Sequence, residues 1–361
     1  MVVGVLTTSY PRFAGDAAGS FVGDDVRRLV RGGATVQVIA AGDGPAGVTR
    51  RSEDGVDVTR IGTGGGALFY GDGAPEALER GGVRAWITAA HFSAALRRAL
   101  AVAAPGWDRI VSHWLVPCGW AAVSAAPRLP HRGYAHSGDV ALLERLPFGR
   151  ALAGQLAAAG ADLVFVSRDL RARFAALLGR AGDRAASVGQ VEQLVPRADL
   201  FPAVSAAQRA AARAHLGVSG PTVVAVGRLI PIKGFDLLVD AVGDRARLIV
   251  IGAGPEAVAL RARARRRSVS LTLPGVLPRA ELATWLAAAD LYVQPSRALS
   301  SGRTEGVPLA TLEALAVGVP VIAARTGGLA ELDGPVAFFD PGDVASLRRV
   351  LLTALHIAIA R

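Results

Sequence analysis

One cysteine in 361 residues excludes an internal disulfide, and Cys118 lies in the apolar stretch HWLVPCGWAA, where a small buried side chain is the expected role. No run of eighteen apolar residues occurs, so no helix is expected to span a bilayer, although the hydrophobic fraction is 51%. The first residues, MVVGVLTTSYPR, carry no basic leader or cleavage site and read as a buried strand, and a cytoplasmic protein is expected. No Asp-x-Asp element is present, and the six histidines are not spaced with acids as metal ligands, so no metal is expected. Lysine is almost absent. Of 40 basic residues against 30 acidic ones, every base but Lys233 is arginine, and the net charge of +10 favours anionic partners such as nucleotide diphosphates, acidic lipid headgroups or nucleic acid. The densest cluster, LRARARRRSVS at 260–270, reads as a solvated helix face or an anion-contact surface. It has no interleaved aromatics, which argues against nucleic acid.

The length suggests two domains. Short Val/Ile/Leu-rich runs alternate with Ala-rich helical stretches, the pattern of a parallel sheet covered on both faces. It occurs twice. Strands are predicted at Val2 to Thr7, Thr35 to Ile39, Arg109 to Val111 and Leu163 to Val166, then at Thr222 to Val226, Arg247 to Ile251, Ser270 to Leu273, Leu291 to Gln294 and Val319 to Ala323. Between the sets, VEQLVPRADLFPAVSAAQRA loses apolar periodicity and marks a linker near 191–205. Boundaries follow at 1–190, 191–345 and a last helix at 346–361. Two doubly wound α/β halves are expected to face a central cleft, with ligands at the carboxyl ends of the strands.

The most informative stretch is SGRTEGVPLATLEALAVGVPVIAARTGG, with Glu305 and Glu313 eight residues apart. Eight helical residues rise about 12 Å, although Gly306 and Pro308 suit a helix start and put Glu305 in the loop ahead. Two such carboxylates are either solvated helix-face residues or a grip on two ends of a polyhydroxylated ligand, since an ionised carboxylate accepts hydroxyls in pairs. The apolar run after Glu313 reads as helix, glycine stop and buried strand, which favours the second reading. Arg228 and Lys233 follow the strand ThrValValAlaVal and can bracket a diphosphate, the first by its fork of donors and the second as a point charge. GlyAlaGlyProGluAla at 252–257 matches a dinucleotide fingerprint, but no carboxylate stands about 20 residues on to bind a ribose, and NAD is set aside.

These residues resemble the retaining glycosyltransferases of family four, which carry two glutamates on a GT-B fold of two Rossmann-like domains. SYPRFAGDAAGSFV, HSGDV, ADLVFVSRDL, VAVGRLIPIKGFDLLVDA, LIVIGAGPE and ADLYVQPS fall in that family's order over roughly residues 1 to 340. The resemblance implies a metal-independent transfer of a sugar from a nucleotide-diphosphate sugar to a glycan, lipid-linked or small-molecule acceptor, with the acceptor in the first domain and the donor in the second. It implies that Arg228 and Lys233 hold the diphosphate, that Glu305 binds the donor sugar and Glu313 the ribose. His136, in GYAHSGDVALLERL, would border the reacting carbon, although the familiar order His, Gly, any residue, Asp has Ser137 between His136 and Gly138 here. Gly15 or Gly19 would approach the phosphates at a helix start. Gly306 and Val307 would offer amides to the donor, and Gly275 with Val276 would border the base. His113 and Trp114 are candidates for the acceptor pocket or for core packing. Lipid-linked acceptors of the family, with the positive charge, imply peripheral contact with an anionic membrane at the inner face.

Two rival readings share the scaffold. One is a GT-B epimerase or phosphorylase. The other is a non-catalytic nucleotide-sugar-binding protein, because only one helix follows AspProGlyAsp at 340–343 where the family continues with a helix crossing back to the first domain.

Overall fold

The computed structural model describes residues 1–64, 68–70, 73–79, 82–180 and 182–359, and the chain divides into two compact units, Met1–Gln193 and Leu194–Arg361. In the first unit the elements run β1 (Val2–Thr7), α1 (Ser20–Arg31), β2 (Thr35–Gly42), β3 (Gly47–Glu53), β4 (Val56–Gly62), α2 (Ala74–Glu79), α3 (Val83–Ala103) and β5 (Arg109–His113). They continue with α4 (Trp120–Ala125), β6 (His131–Ala135), α5 (Gly138–Arg145), α6 (Gly149–Ala158), β7 (Asp162–Phe165), α7 (Arg168–Leu177) and β8 (Gln190–Val191). Among the described residues the sheet has the order β3-β4-β2-β1-β5-β6-β7-β8. Its centre is β1, where Val5 pairs in parallel with Val38 on one side and Val111 on the other. Val3, Val5 and Leu6 are fully buried there, as a strand covered on both faces requires.

The sheet departs from the all-parallel expectation at one edge. β3 runs antiparallel to β4 through a turn whose Asp54 and Gly55 both have positive φ, 50° and 77°. Asp-Gly is the pair such a tight hairpin favours. The hydrophobic pattern missed β3 because its face is exposed and polar, GVTRRSE, as suits an edge strand.

The second unit contains α8 (Ala206–His215), β9 (Thr222–Val226), α9 (Phe235–Val242), β10 (Arg247–Ile251), α10 (Ala257–Arg266), β11 (Leu271–Gly275), α11 (Arg279–Ala288), β12 (Leu291–Gln294), α12 (Leu309–Val317), β13 (Val321–Ala324), β14 (Val336–Phe339) and α13 (Val344–Ile359). Its six described strands are parallel in the order β11-β10-β9-β12-β13-β14. One face packs Val223, Leu248 and Val293 against Leu238 of α9, Leu260 of α10 and Leu347 and Leu351 of α13. The other packs Val224, Ile249 and Tyr292 against Leu286 of α11 and Val317 of α12.

Two boundaries shift from the sequence reading. The last helix, set apart there as 346–361, begins at Val344 and puts Leu347, Leu351 and Leu355 into the core of the second unit, so it belongs to that unit. The expected linker is in part core as well: Phe201 is buried with Leu286 and Val317, a burial worth about 1.5–3 kcal/mol for a large apolar side chain. Arg263 and Arg267 of the basic cluster are tied to Asp240, at 2.8 and 3.0 Å, whereas Arg261, Arg265 and Arg266 are exposed. No helix among the described residues is long and apolar enough to cross a membrane.

Apart from the β3–β4 hairpin, each sheet reverses its strand order at one point, between β1 and β5 and between β9 and β12. Loops leaving adjacent strands on opposite sides open a crevice at such a point, at the carboxyl ends.

Candidate functional site

At the switch point of the second unit, β9 gives way to Gly227, Arg228 and a short turn Pro231–Lys233 before α9. This turn is pinned to the loop after β12, because Arg297 N donates to Ile232 O at 2.9 Å. Its Lys233 is buried, and Nζ donates to Glu305 Oε2 at 3.0 Å. Glu305 lies in the loop ahead of α12, and its carbonyl accepts from Gly328 N at 3.1 Å beyond β13. Loops from three strand ends thus hold one lysine and one carboxylate together.

The glycine-rich turn after β10 has a packing explanation. Leu229 N donates to Ala253 O at 2.8 Å and Glu256 N to Leu229 O at 3.0 Å, which knits it to the Arg228 loop. A Cβ on Gly252 would stand 1.9 Å from Gly227 O, and one on Gly254 2.5 Å from Leu229 O. These glycines let two strand-end loops interlock.

Glu313 occupies the middle of α12 and is buried. Its Oε1 accepts from Arg279 Nη2 at 2.6 Å, and the Arg279 guanidinium lies 5.3 Å from the centroid of the Phe201 ring. Arg279 escaped the sequence reading. The available signal was its place as the first residue of α11, where the helix dipole disfavours a cation unless a partner holds it. Tyr292, close enough to feel both glutamates, is buried, and its hydroxyl donates to Gln294 Oε1 at 2.9 Å. Burial above all, with added repulsion from Glu313 and Glu305, pushes this phenol above its usual range.

In the first unit, the loop after β1 is closed by Asp16, whose carboxylate accepts from Arg12 Nε at 2.7 Å and from Ala18 N at 3.0 Å. Gly19 is buried at the start of α1 with φ of 68°, and a Cβ there would lie 2.4 Å from Ser9 O. Gly15, with φ of 86°, has no atom within 4 Å of that position. Packing accounts for Gly19; Gly15 leaves an open approach.

Beyond β5 and β6 an aromatic cluster forms. His113 ends β5, and its Nδ1 stands 3.1 Å from Nε2 of His136. On its other side His113 Nε2 is 3.3 Å from Asp25 Oδ2 of α1. Tyr134 stacks on His113 with centroids 5.1 Å apart, and Phe21 and Trp114 lie against His136 at 4.8 and 5.0 Å. Burial of its ring holds His136 well below the usual imidazole range. Burial alone would raise the Asp25 carboxyl, but His113 and Arg28 outweigh it and bring it to about 2. Asp139 fixes the surrounding turns: Oδ2 accepts from Leu115 N at 2.7 Å, and Oδ1 from His136 N at 3.1 Å and Val140 N at 3.0 Å. Trp114 and Ser137, beside the two histidines, have φ of 78° and 98°, a region that side-chain-bearing residues rarely occupy.

The sequence-derived candidates therefore fall into two clusters. Lys233 and Glu305 are paired, with Arg228 half-buried in the same loop. Gly306 and Val307 are buried just ahead of α12, which starts at Leu309, so their amides precede the first turn instead of belonging to it. Gly275 ends β11 with its carbonyl accepting from Gly252 N at 2.8 Å, while Val276 is exposed. His136, Gly15 and Gly19 belong to the first unit. His113 is tied directly to His136, beyond the pocket-lining or core role expected of it.

Two doubly wound α/β units in one chain are the GT-B architecture, and solved structures share it. A sucrose-phosphate synthase from Thermosynechococcus elongatus superposes with a TM-score of 0.73 at 20% identity, over 99% of this chain and 90% of that one. HepE from Anabaena, solved with UDP-glucose, gives 0.66 at 18% identity, over 100% and 95%. At these identities the likeness is one of fold. Residues 220–356 match the family described as Glycosyl transferases group 1. A D-inositol 3-phosphate glycosyltransferase from Frankia alni is 33% identical over 318 residues, 78% of this chain and 74% of that protein. A GDP-mannose-dependent alpha-(1-6)-phosphatidylinositol monomannoside mannosyltransferase from Mycobacterium tuberculosis is 37% identical over 185 residues, 48% of this chain and 46% of that protein. In matches of the latter kind the chain spans about half the length of the curated relatives. The chain belongs to the group 1 glycosyl transferases.

Proposed function

We propose that this protein transfers a sugar from a nucleotide-diphosphate donor to an acceptor hydroxyl, with retention of configuration and without a metal ion. The observation that carries the reading is the pair Lys233–Glu305 at the β9/β12 switch point. A diphosphate oxygen is a stronger partner for the ammonium than the carboxylate, and the freed Glu305 then accepts from the donor sugar hydroxyls. In this reading Arg228 shares the diphosphate, Glu313 takes the ribose diol and Val276 borders the base. Gly15 gives the phosphates their open approach, and Gly306 and Val307 direct amides at the donor. His136 borders the reacting carbon. Charge developing on the departing phosphate meets two cations already in the fold, which removes the need for a metal. Retention follows the family resemblance.

The relatives' names supply the first substrates to try: GDP-mannose as donor, and inositol phosphate or a phosphatidylinositol mannoside as acceptor. An anionic lipid surface suits the first turns of α3, where Val83, Trp86 and Ile87 are exposed beside Arg84.

A thermal-shift panel of nucleotide sugars tests the proposal, since a ligand at about 100 times its Kd stabilises by about 2.7 kcal/mol. GDP-mannose and UDP-glucose head the panel, and the stabilising donor is then assayed for transfer with and without EDTA. No shift from any donor overturns the reading. Conversion of the donor in place, without acceptor, marks an epimerase, and loss of transfer in EDTA restored by magnesium overturns metal independence.

A further inference from the structure

Three groups form a line in the first unit, Asp25 on α1, His113 at the end of β5 and His136 beyond β6, joined by contacts of 3.3 and 3.1 Å. The contact to Asp25 falls outside hydrogen-bond geometry and His113 Nε2 has no other partner among the described residues, but an ionised carboxylate only accepts, so its charge favours a proton on the imidazole nitrogen nearest it. We propose that Asp25 is a positioning residue that sets the proton arrangement of both histidines, leaving Nδ1 of His136 as a hydrogen-bond acceptor for a sugar hydroxyl. The assignment deepens the role given to His136 above and rests on it for the identity of the hydroxyl.

With the His113 proton on Nε2, the neutral ring has a lone pair on Nδ1. That lone pair faces His136 Nε2, which must then be the donor, and the proton on Nε2 leaves Nδ1 of His136 bare. A neutral His136 ring fits its surroundings. From α1, the Asp25 charge is already matched by Arg28, whose Nε donates to it at 3.2 Å, so it does not require an imidazolium beside it. From β6, Tyr134 stacks on His113, and from α5, Asp139 spends its oxygens on backbone amides. Burial of the His136 ring opposes a charge there.

The test reads the tautomers directly. Full-length protein labelled with 15N at histidine is examined by long-range 1H–15N correlation without substrate, which reports which ring nitrogen carries the proton. Wild type is expected to show Nε2–H on both His113 and His136. In Asp25→Asn the single amide oxygen is claimed by Arg28, so the amide NH2 faces His113 and both tautomers invert. A wild-type His113 with a bare Nε2, or an Asp25→Asn spectrum unchanged from wild type, overturns the assignment. If Asp25→Asn does not fold, the wild-type spectrum decides alone.

Activity separates this from the function proposed above. Asp25→Asn is expected to lower kcat/KM for the nucleotide sugar roughly tenfold to a hundredfold, the effect of one lost hydrogen bond to a charged or polarised group, with the Kd of the free nucleotide unchanged. Inverted tautomers with unaltered donor kinetics leave the relay standing and count against His136 as a sugar contact.

Discussion

Lys233 Nζ donates to Glu305 Oε2 at 3.0 Å, so the only lysine of the chain is engaged by the first glutamate of its most informative stretch. The contact joins the loops after β9 and β12, which neighbour each other in the sheet although 72 residues separate the two side chains. In the proposed reaction the donor replaces Glu305 as the partner of Lys233.

Lys233→Ala is expected to reduce turnover roughly a hundredfold to a thousandfold, the usual result of removing one preorganised electrostatic donor, with a much smaller change in thermal midpoint. Lys233→Arg keeps the charge but brings a wide planar fork into a turn that holds a compact ammonium, and is expected to lose most activity. Steady-state kinetics of both variants check this. Full activity in Lys233→Arg would show that any cation suffices, and full activity in Lys233→Ala would remove the diphosphate from this loop.

Arg279 and Glu313 are expected to act as a unit on the nucleotide. Each alanine variant should weaken binding by about 1.5–3 kcal/mol, as for a hydrogen bond to a charged group. The double variant should lose less than the sum, with a coupling of about 0.5–3 kcal/mol. Calorimetry on the four proteins decides, and strictly additive losses would separate Arg279 from the ribose end of the site.

Ser137→Gly should stabilise the fold by about 1 kcal/mol. A non-glycine residue at φ of 98° carries roughly 1–3 kcal/mol of strain, and glycine returns only about 0.5–1 kcal/mol of that through its freer unfolded chain. Urea unfolding of the two proteins measures the difference. A lower midpoint in the variant would mean that the serine side chain matters more to this turn than its backbone strain.

His131 gives the fold a dependence on pH. Burial lowers its pKa to about 4, with Nε2 2.8 Å from Ser112 Oγ. The folded value lies below the unfolded one near 6.5, so the contribution is fully present above pH 6.5 and is lost as pH falls through about 4. The loss amounts to about 3 kcal/mol. His131→Gln should flatten this part of the stability profile, and denaturant titrations between pH 7 and pH 4 that are parallel for the two proteins would exclude it.

Anionic vesicles are expected to retain the protein at low salt and release it at high salt through α3. Trp86→Ser with Ile87→Ser should reduce sedimentation with the vesicles while donor kinetics on a water-soluble acceptor hold. Wild type that fails to sediment at low ionic strength would count against a membrane-surface acceptor.

Much of this architecture was legible in residue order. The strands β1, β9, β10 and β12 run over the residues predicted for them, because each is buried on both faces and so leaves an unbroken apolar run bounded by turn residues. Glu305 in a loop and Glu313 in a helix also followed from local chemistry, through Gly306, Pro308 and the glycine stop at Gly318. What tertiary structure decided was partnership. Lys233 with Glu305, Arg279 with Glu313, Asp25 with His113, and His113 with His136 are separated by 72, 34, 88 and 23 positions, and only the strand order of each sheet brings the loops and helices that carry them together. The polar edge strand β3 and the burial of Phe201 belong to the same class. Hydrophobic period reports which face of an element is covered, but which element covers it, and which charge meets which across a switch point, is set by how the chain crosses the sheet.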